Sequence, residues 1–260
     1  MMSPRPLIAI VALTAFGCTD AGELTEPTSE PDITSPSFVV SPPGKGAGNA
    51  RTRSYEVTIE NLTDGQPFTP PVIATHRRAT RIFKVGQAAS FELKEVAENG
   101  NLPPLVDALS DSRHVASVVV AVAGTPPPVL PGGSVTVSIT STRGTEFFSV
   151  ASMLICTNDG FTGVDSQLLP RTVGEALVLY SDGYDAGTEI NTEDFADIVP
   201  PCPPLTGVSS SDPGTGASDP LLAEGDVIRH HPGILGGDDL IPGLHGWTDP
   251  VAKITITRTG

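Results

Sequence analysis

The sequence predicts an all-β domain, an antiparallel β-sandwich of about eight strands with one short helix and long loops at one end. Three observations predict it. The chain carries 27 Gly and 26 Pro in 260 residues, too many turn-formers for a helical bundle. Apolar and polar residues alternate with period two over residues 55–60, 134–140 and 253–258, as in strands with one face on a core and one in water. Residues 87–98 form the one clear helical segment, with apolar Phe91, Leu93, Val96 and Ala97 and a stop at Asn99-Gly100.

The chain opens with a pattern of export. Arg5 precedes an apolar run over residues 7–16, too short to cross a hydrocarbon core of roughly 30 Å as a helix. A basic flank, an apolar stretch and small residues near a cut site make residues 1–17 a signal peptide. The site Ala15-Phe16-Gly17-Cys18 resembles the bacterial lipobox, so Cys18 is the expected lipidation site. An ordinary cleaved signal is the alternative. Residues 18–53 are rich in Pro, Ser, Thr and acids. They bury too little apolar surface to offset their ordering entropy, and are expected to form a disordered tether. Phe38-Val39-Val40 is the single apolar cluster there and is expected to be a chance one.

The folded domain is expected over residues 54–260. The strand at 55–60 ends in the turn pair Asp64-Gly65. A short strand at 71–74 begins with proline, which suggests a sheet edge. Residues 105–109 can add a helical turn, and the nearly all-apolar residues 115–122 read as a central strand. Pro126-Pro127-Pro128 and Pro131-Gly132-Gly133 punctuate the loop before strand 134–140, and apolar residues 147–155 and 177–180 supply two more strands. Residues 188–248 have little strand pattern and are expected to drape over one end of the sandwich.

The formal charge of −15 repels phosphate backbones and argues against nucleic-acid partners. Cys156 and Cys202 make an even pair in an exported chain, which predicts a disulfide, with two buried thiols as the alternative. Two acidic loops follow predicted strands: residues 157–165, with Asp159 and Asp165, and residues 180–189, with Asp182, Asp185 and Glu189. Carboxylates beside carbonyl-exposing glycines suit a hard cation such as Ca2+, although Asp and Gly also simply mark turns. His230, His231, Asp238, Asp239 and His245 could hold Zn2+ or serve acid–base chemistry, but lack helical spacing and read as ordinary loop residues. His76, Arg77, Arg78 and Arg81 form a basic cluster read as a solvated face.

Asp185-Ala186-Gly187-Thr188-Glu189, with the looser Asn158-Asp159-Gly160-Phe161, resembles the paired loops of the spondin amino-terminal domain family. The opening Tyr55-Glu56-Val57-Thr58-Ile59 and closing residues 247–254 resemble its bacterial members. The resemblance implies a C2-like sandwich, a Ca2+ site with Asp159, Asp185 and Glu189 as ligands, and adhesion or ligand binding rather than catalysis. Glu189 stands where the family has Asp. Asp182 is a weaker additional metal ligand. The expectation is therefore an exported lipoprotein of the cell envelope, at the outer membrane or cell surface, held to the membrane by lipid alone, that binds an extracellular or envelope protein or glycan. The rival is a carbohydrate-active or other hydrolase, with Asp182 and Asp185 as its carboxylates.

Overall fold

A computed structural model describes residues 38–40, 51–122 and 127–260. The expected signal peptide, Cys18 and nearly all of the expected tether lie outside these residues. Among the described residues, no helix is long and apolar enough to cross a membrane.

Among the described residues, eleven strands form two antiparallel sheets. In chain order they are β1 (Phe38–Val40), β2 (Arg53–Asn61), β3 (Val72–His76), β4 (Val115–Val120), β5 (Ser134–Ser141), β6 (Phe147–Met153), β7 (Gly160–Leu168), β8 (Ala176–Ser181), β9 (Gly183–Asp185), β10 (Arg229–His230) and β11 (Ala252–Arg258). One sheet runs β1-β4-β3-β6-β7-β9-β10 and the other β5-β2-β11-β8. The molecule is the expected all-β sandwich.

The alternating strands fill the four-stranded sheet. β5 alternates without a break, with Val135, Val137, Ile139 and Ser141 inward and Ser134, Thr136, Ser138 and Thr140 exposed. Val57 and Ile59 of β2 and Ile254 and Ile256 of β11 join them against Ile73, Val119, Phe148 and Val150 of the facing sheet. Thr58 and Thr136 lie opposite each other on the wet face and share a hydroxyl hydrogen bond of 2.8 Å.

β3 and β6 of the seven-stranded sheet are buried on both faces, which is why neither alternates apolar with polar residues. Helices α1 (Phe91–Asn99) and α2 (Pro103–Asp111) cover its outer face. Leu93, Val96, Leu105 and Leu109 pack there on Val72, Ala74, Val118 and Phe161. Ser90 caps α1 by accepting a hydrogen bond from the Leu93 amide, so the helix begins four residues later than its sequence pattern suggests. Two shorter helices, α3 (Cys202–Thr206) and α4 (Pro242–His245), sit in the long stretch expected as loop. The described residues thus hold four α-helices and a 3-10 turn at Phe195–Asp197 rather than one helix.

Three further expectations are corrected. β3 is an interior strand between β4 and β6, not an edge. Its prolines precede its first residue, and the Pro71 carbonyl still accepts from the Ala121 amide at 2.9 Å. Phe38–Val40 is no chance cluster, because its backbone pairs with β4 from Val120 to Val118. Most of the first acidic loop is strand β7. Its Asp165 braces the structure by accepting from the Ile82 amide at 2.7 Å and pairing with Arg81 at 3.1 Å.

Candidate functional site

The site forms where β7, β9 and β10 meet. A tight turn joins β6 to β7. Thr157 Oγ1 donates to the Leu154 carbonyl at 2.6 Å and accepts from the Gly160 amide at 2.9 Å. A Cβ at Gly160 would lie 2.4 Å from that hydroxyl, so only glycine closes the turn. β7 then pairs with β9 with Gly160 opposite Asp185, and β10 pairs with β9 with Arg229 opposite Asp185. This register brings Asp159, Asp185 and Arg229 together from segments far apart in sequence.

Asp159 is fully buried. Its Oδ2 accepts from the Thr188 amide at 2.7 Å, the Thr188 hydroxyl at 3.2 Å and the Glu189 amide at 3.1 Å. Its Oδ1 is buried without any hydrogen-bond partner. Burial, and then repulsion from Asp185, pushes its carboxyl up to about 7 despite those amides. Asp185 is also fully buried, but both its oxygens are occupied. Oδ1 accepts from the Gly187 amide at 2.8 Å, and Oδ2 from Asn191 at 2.9 Å and Arg229 at 3.1 Å. Arg229 also grips Glu224 at 2.8 and 3.0 Å and pairs with Asp226.

Asp159, Asp185 and Glu224 each place a carboxylate oxygen within 4.8 Å of the others. Of the three expected ligands, the structure thus brings Asp159 and Asp185 together. Glu189 meets Asp159 through its backbone amide, while its carboxyl lies outside that group. Burial, then Glu98, Asp159 and Asp197, pushes the Glu189 carboxyl up to about 8. Glu98 of α1 is buried, with Oε1 unpartnered and Oε2 accepting from Ser218. Asp182 belongs to a different group, with His230 and Asp249.

Sequence reasoning missed Glu98, Glu224 and Arg229. β10 has two residues, too few to show a period, and a helical pattern says nothing about Glu98 facing Glu189. His231 and His245 are buried in the loop layer. The Ile241 amide donates to buried His245 Nδ1 at 2.9 Å. His231 packs on Trp247 at 5.0 Å between ring centroids, and burial holds its imidazole down at about 4.

The Cys156–Cys202 disulfide is formed, with Cα atoms 5.1 Å apart. It ties α3 to the turn that carries Asp159. Gly187 shapes the facing loop. Its φ is 69°, and a Cβ there would lie 2.7 Å from the Val227 carbonyl oxygen. Gly187→Ala is expected to cost about 1–3 kcal/mol, through left-handed strain and displacement of the neighbouring amides from Asp159. Thermal melting checks this, and an unaltered melting temperature would count against the tight packing.

A family model described as Spondin_N matches residues 61–195. The matched segment holds Asp159, Asp182, Asp185 and Glu189 but not Glu224 or Arg229. No curated protein matches the chain.

Proposed function

On the premise that this chain belongs to the Spondin_N family of extracellular binding domains, we propose that it is an exported, surface-anchored binding and adhesion module whose acidic rim holds Ca2+. One observation carries the cation reading. Asp159 Oδ1 is buried without a partner, in a protein interior where an unpaired carboxylate oxygen is costly, and two other carboxylates lie within 4.8 Å. The donor set fits a hard cation: Asp159 and Asp185 at the centre, Glu224 as the third carboxylate in this arrangement, and Glu189 as the neighbouring acid named by the family resemblance. Asp182 has the weaker claim, because its group is separate. Ca2+ would supply the positive charge that lets buried Asp159 ionise. Arg229 supplies part of it to Asp185 and Glu224.

Anchoring through Cys18 supports surface display. Two of the three cysteines are consumed in the disulfide, and the third is the one in the lipobox-like site. The partner is an envelope protein or glycan. The hydrolase reading, which needs Asp182 and Asp185 as a working pair, gains no support from their membership of separate carboxylate groups.

Calorimetric titration of chelator-treated protein with Ca2+ tests the proposal. Binding heat and a higher melting temperature are expected, worth about 2.7 kcal/mol at a hundredfold excess over Kd. Both effects should vanish in Asp159→Asn with Asp185→Asn. A wild-type protein that gives neither heat nor a shift is not a Ca2+ protein.

A further inference from the structure

The fold sorts nine of its arginines to the end of the sandwich away from Asp159, while Arg229 stands at the acidic rim. Strand ends of the four-stranded sheet bring Arg51, Arg53, Arg143, Arg171 and Arg258 to that end. Arg53 lies opposite Ser141, the last residue of β5, Arg258 lies opposite Tyr55, and Arg258 donates to the Arg171 carbonyl. The seven-stranded sheet brings Arg77, Arg78, Arg81 and Arg113 to the same end, where the Arg77 amide donates to the His114 carbonyl at 2.8 Å. Thr75 Oγ1, donating to the Thr140 carbonyl at 2.6 Å, and Arg53, pairing with Glu146 at 3.3 Å, stitch the two sheets together there.

These nine arginines are most of the chain's 15 basic residues, and no described lysine stands among them. Toward the same end lie the acids Asp111 at the close of α2, Asp165 within β7, and Glu146 and Glu175 beside the starts of β6 and β8. Glu146 pairs with Arg53 and Asp165 with Arg81, while Glu175 accepts from the Arg171 and Thr172 amides. Arg51, Arg77, Arg78, Arg113, Arg143 and Arg171 are exposed and form no ion pair among the described residues. Arg51, Arg53 and Arg258 also line a concavity of about 510 Å³.

We infer that this pole is a binding surface for an acidic polysaccharide, a linear chain of carboxylate or sulfate groups. This inference goes beyond the proposed cation-dependent function and does not rest on it. The acidic rim does not cancel the pole. A nine-residue strand separates the two ends by roughly 30 Å, several times the Debye length of about 8 Å at physiological salt. A polyanion at the pole therefore meets arginines, while the distant acids are screened. The use of arginine alone favours directed recognition. The planar guanidinium pairs bidentately with carboxylate and sulfate oxygens, whereas the diffuse negative potential of a membrane attracts lysine equally well. Arginines spread over both sheets can engage several anionic groups at once.

The test is binding of the full chain to heparin, with uncharged dextran and vesicles of equal parts phosphatidylglycerol and phosphatidylcholine as comparisons. Heparin should bind with an affinity that falls steeply as salt rises, and dextran should not bind. Arg77→Ser, Arg78→Ser, Arg143→Ser and Arg171→Ser combined should weaken heparin binding about tenfold or more and flatten its salt dependence, with an unaltered melting temperature. If that variant folds poorly, Arg51→Ser with Arg113→Ser should act in the same direction. Binding should persist in chelator and in Asp159→Asn, so failure of the cation site and failure of the basic pole give different results. No heparin binding, equal binding by the arginine variants, binding to vesicles alone, or loss of binding in chelator would each overturn the inference.

Discussion

Removing the Cys156–Cys202 bridge is expected to lower the melting temperature by roughly 8–16 °C. The bridge spans 46 residues, and closing a loop of that length in the unfolded chain is worth about 4 kcal/mol on the chain-entropy account. In a domain of this size each kcal/mol moves the midpoint by about 2–4 °C. The loss should be uneven. Cys202, Phe195, Ile198, Val199, Ile234 and Leu240 pack as a separate cluster on Met153 and Ile155, so this layer loses its covalent cross-link while the sandwich keeps its own core. Both cysteines are fully buried, so the Cys156→Ala, Cys202→Ala double variant is a cleaner test than serine, whose hydroxyls would need partners. Proteolysis should then cut first within residues 195–240. Cys156 lies three residues from Asp159, so any Ca2+ response should weaken too. Equal melting of oxidised and reduced protein would show that packing alone holds the layer.

The second large effect is an inverted pH dependence in the metal-free protein, set by Asp159 and Glu189. Their carboxyls titrate near 3.8 and 4.5 in the unfolded chain but near 7 and 8 when folded. Between these limits the folded state holds protons that the unfolded state has released, so raising the pH favours unfolding. Stability from these groups is fully present below about pH 4, falls as pH rises through the folded values, and reaches its floor above about pH 8. Asp159 alone accounts for a loss on the order of 4 kcal/mol. Glu146 and Glu175 work the opposite way. Amide hydrogen bonds hold their carboxyls down, so their contribution is lost only as pH falls below the ordinary carboxylate range. The two windows therefore separate.

Asp159→Asn should keep an acceptor for the Thr188 and Glu189 amides while removing the ionisation. Chelator-treated Asp159→Asn is expected to melt above wild type at pH 8 and to match it near pH 4. Ca2+ should raise the wild type at pH 8 and leave the variant unmoved. Melting curves across this range decide the matter. A wild-type profile that is flat from pH 4 to 8 in chelator would mean that Asp159 ionises without penalty, and the reason for a cation there would be gone.

Several of these features were legible in residue order. The alternation of β2, β5 and β11 marks strands with one dry face, because side chains on a strand point to opposite sides and only one side of that sheet is covered. The even cysteine pair and the carboxylates at strand ends were equally visible, since oxidation and turn chemistry are local properties of residue types. Other features depended on what covers what. β3 resembled an edge because its prolines are local, while its interior place depends on β4 and β6 pairing with it from distant segments. Arg229 and Glu224 reach the acidic rim because β10 registers on β9, and the nine arginines share one pole because strand ends of both sheets meet there. Residue order alone marks which strands have a wet face, which cysteines can pair and where carboxylates cluster. Which charges become neighbours is a property of the assembled fold, because strand register and layer order are set by the summed burial of the whole core and not by any segment's own period.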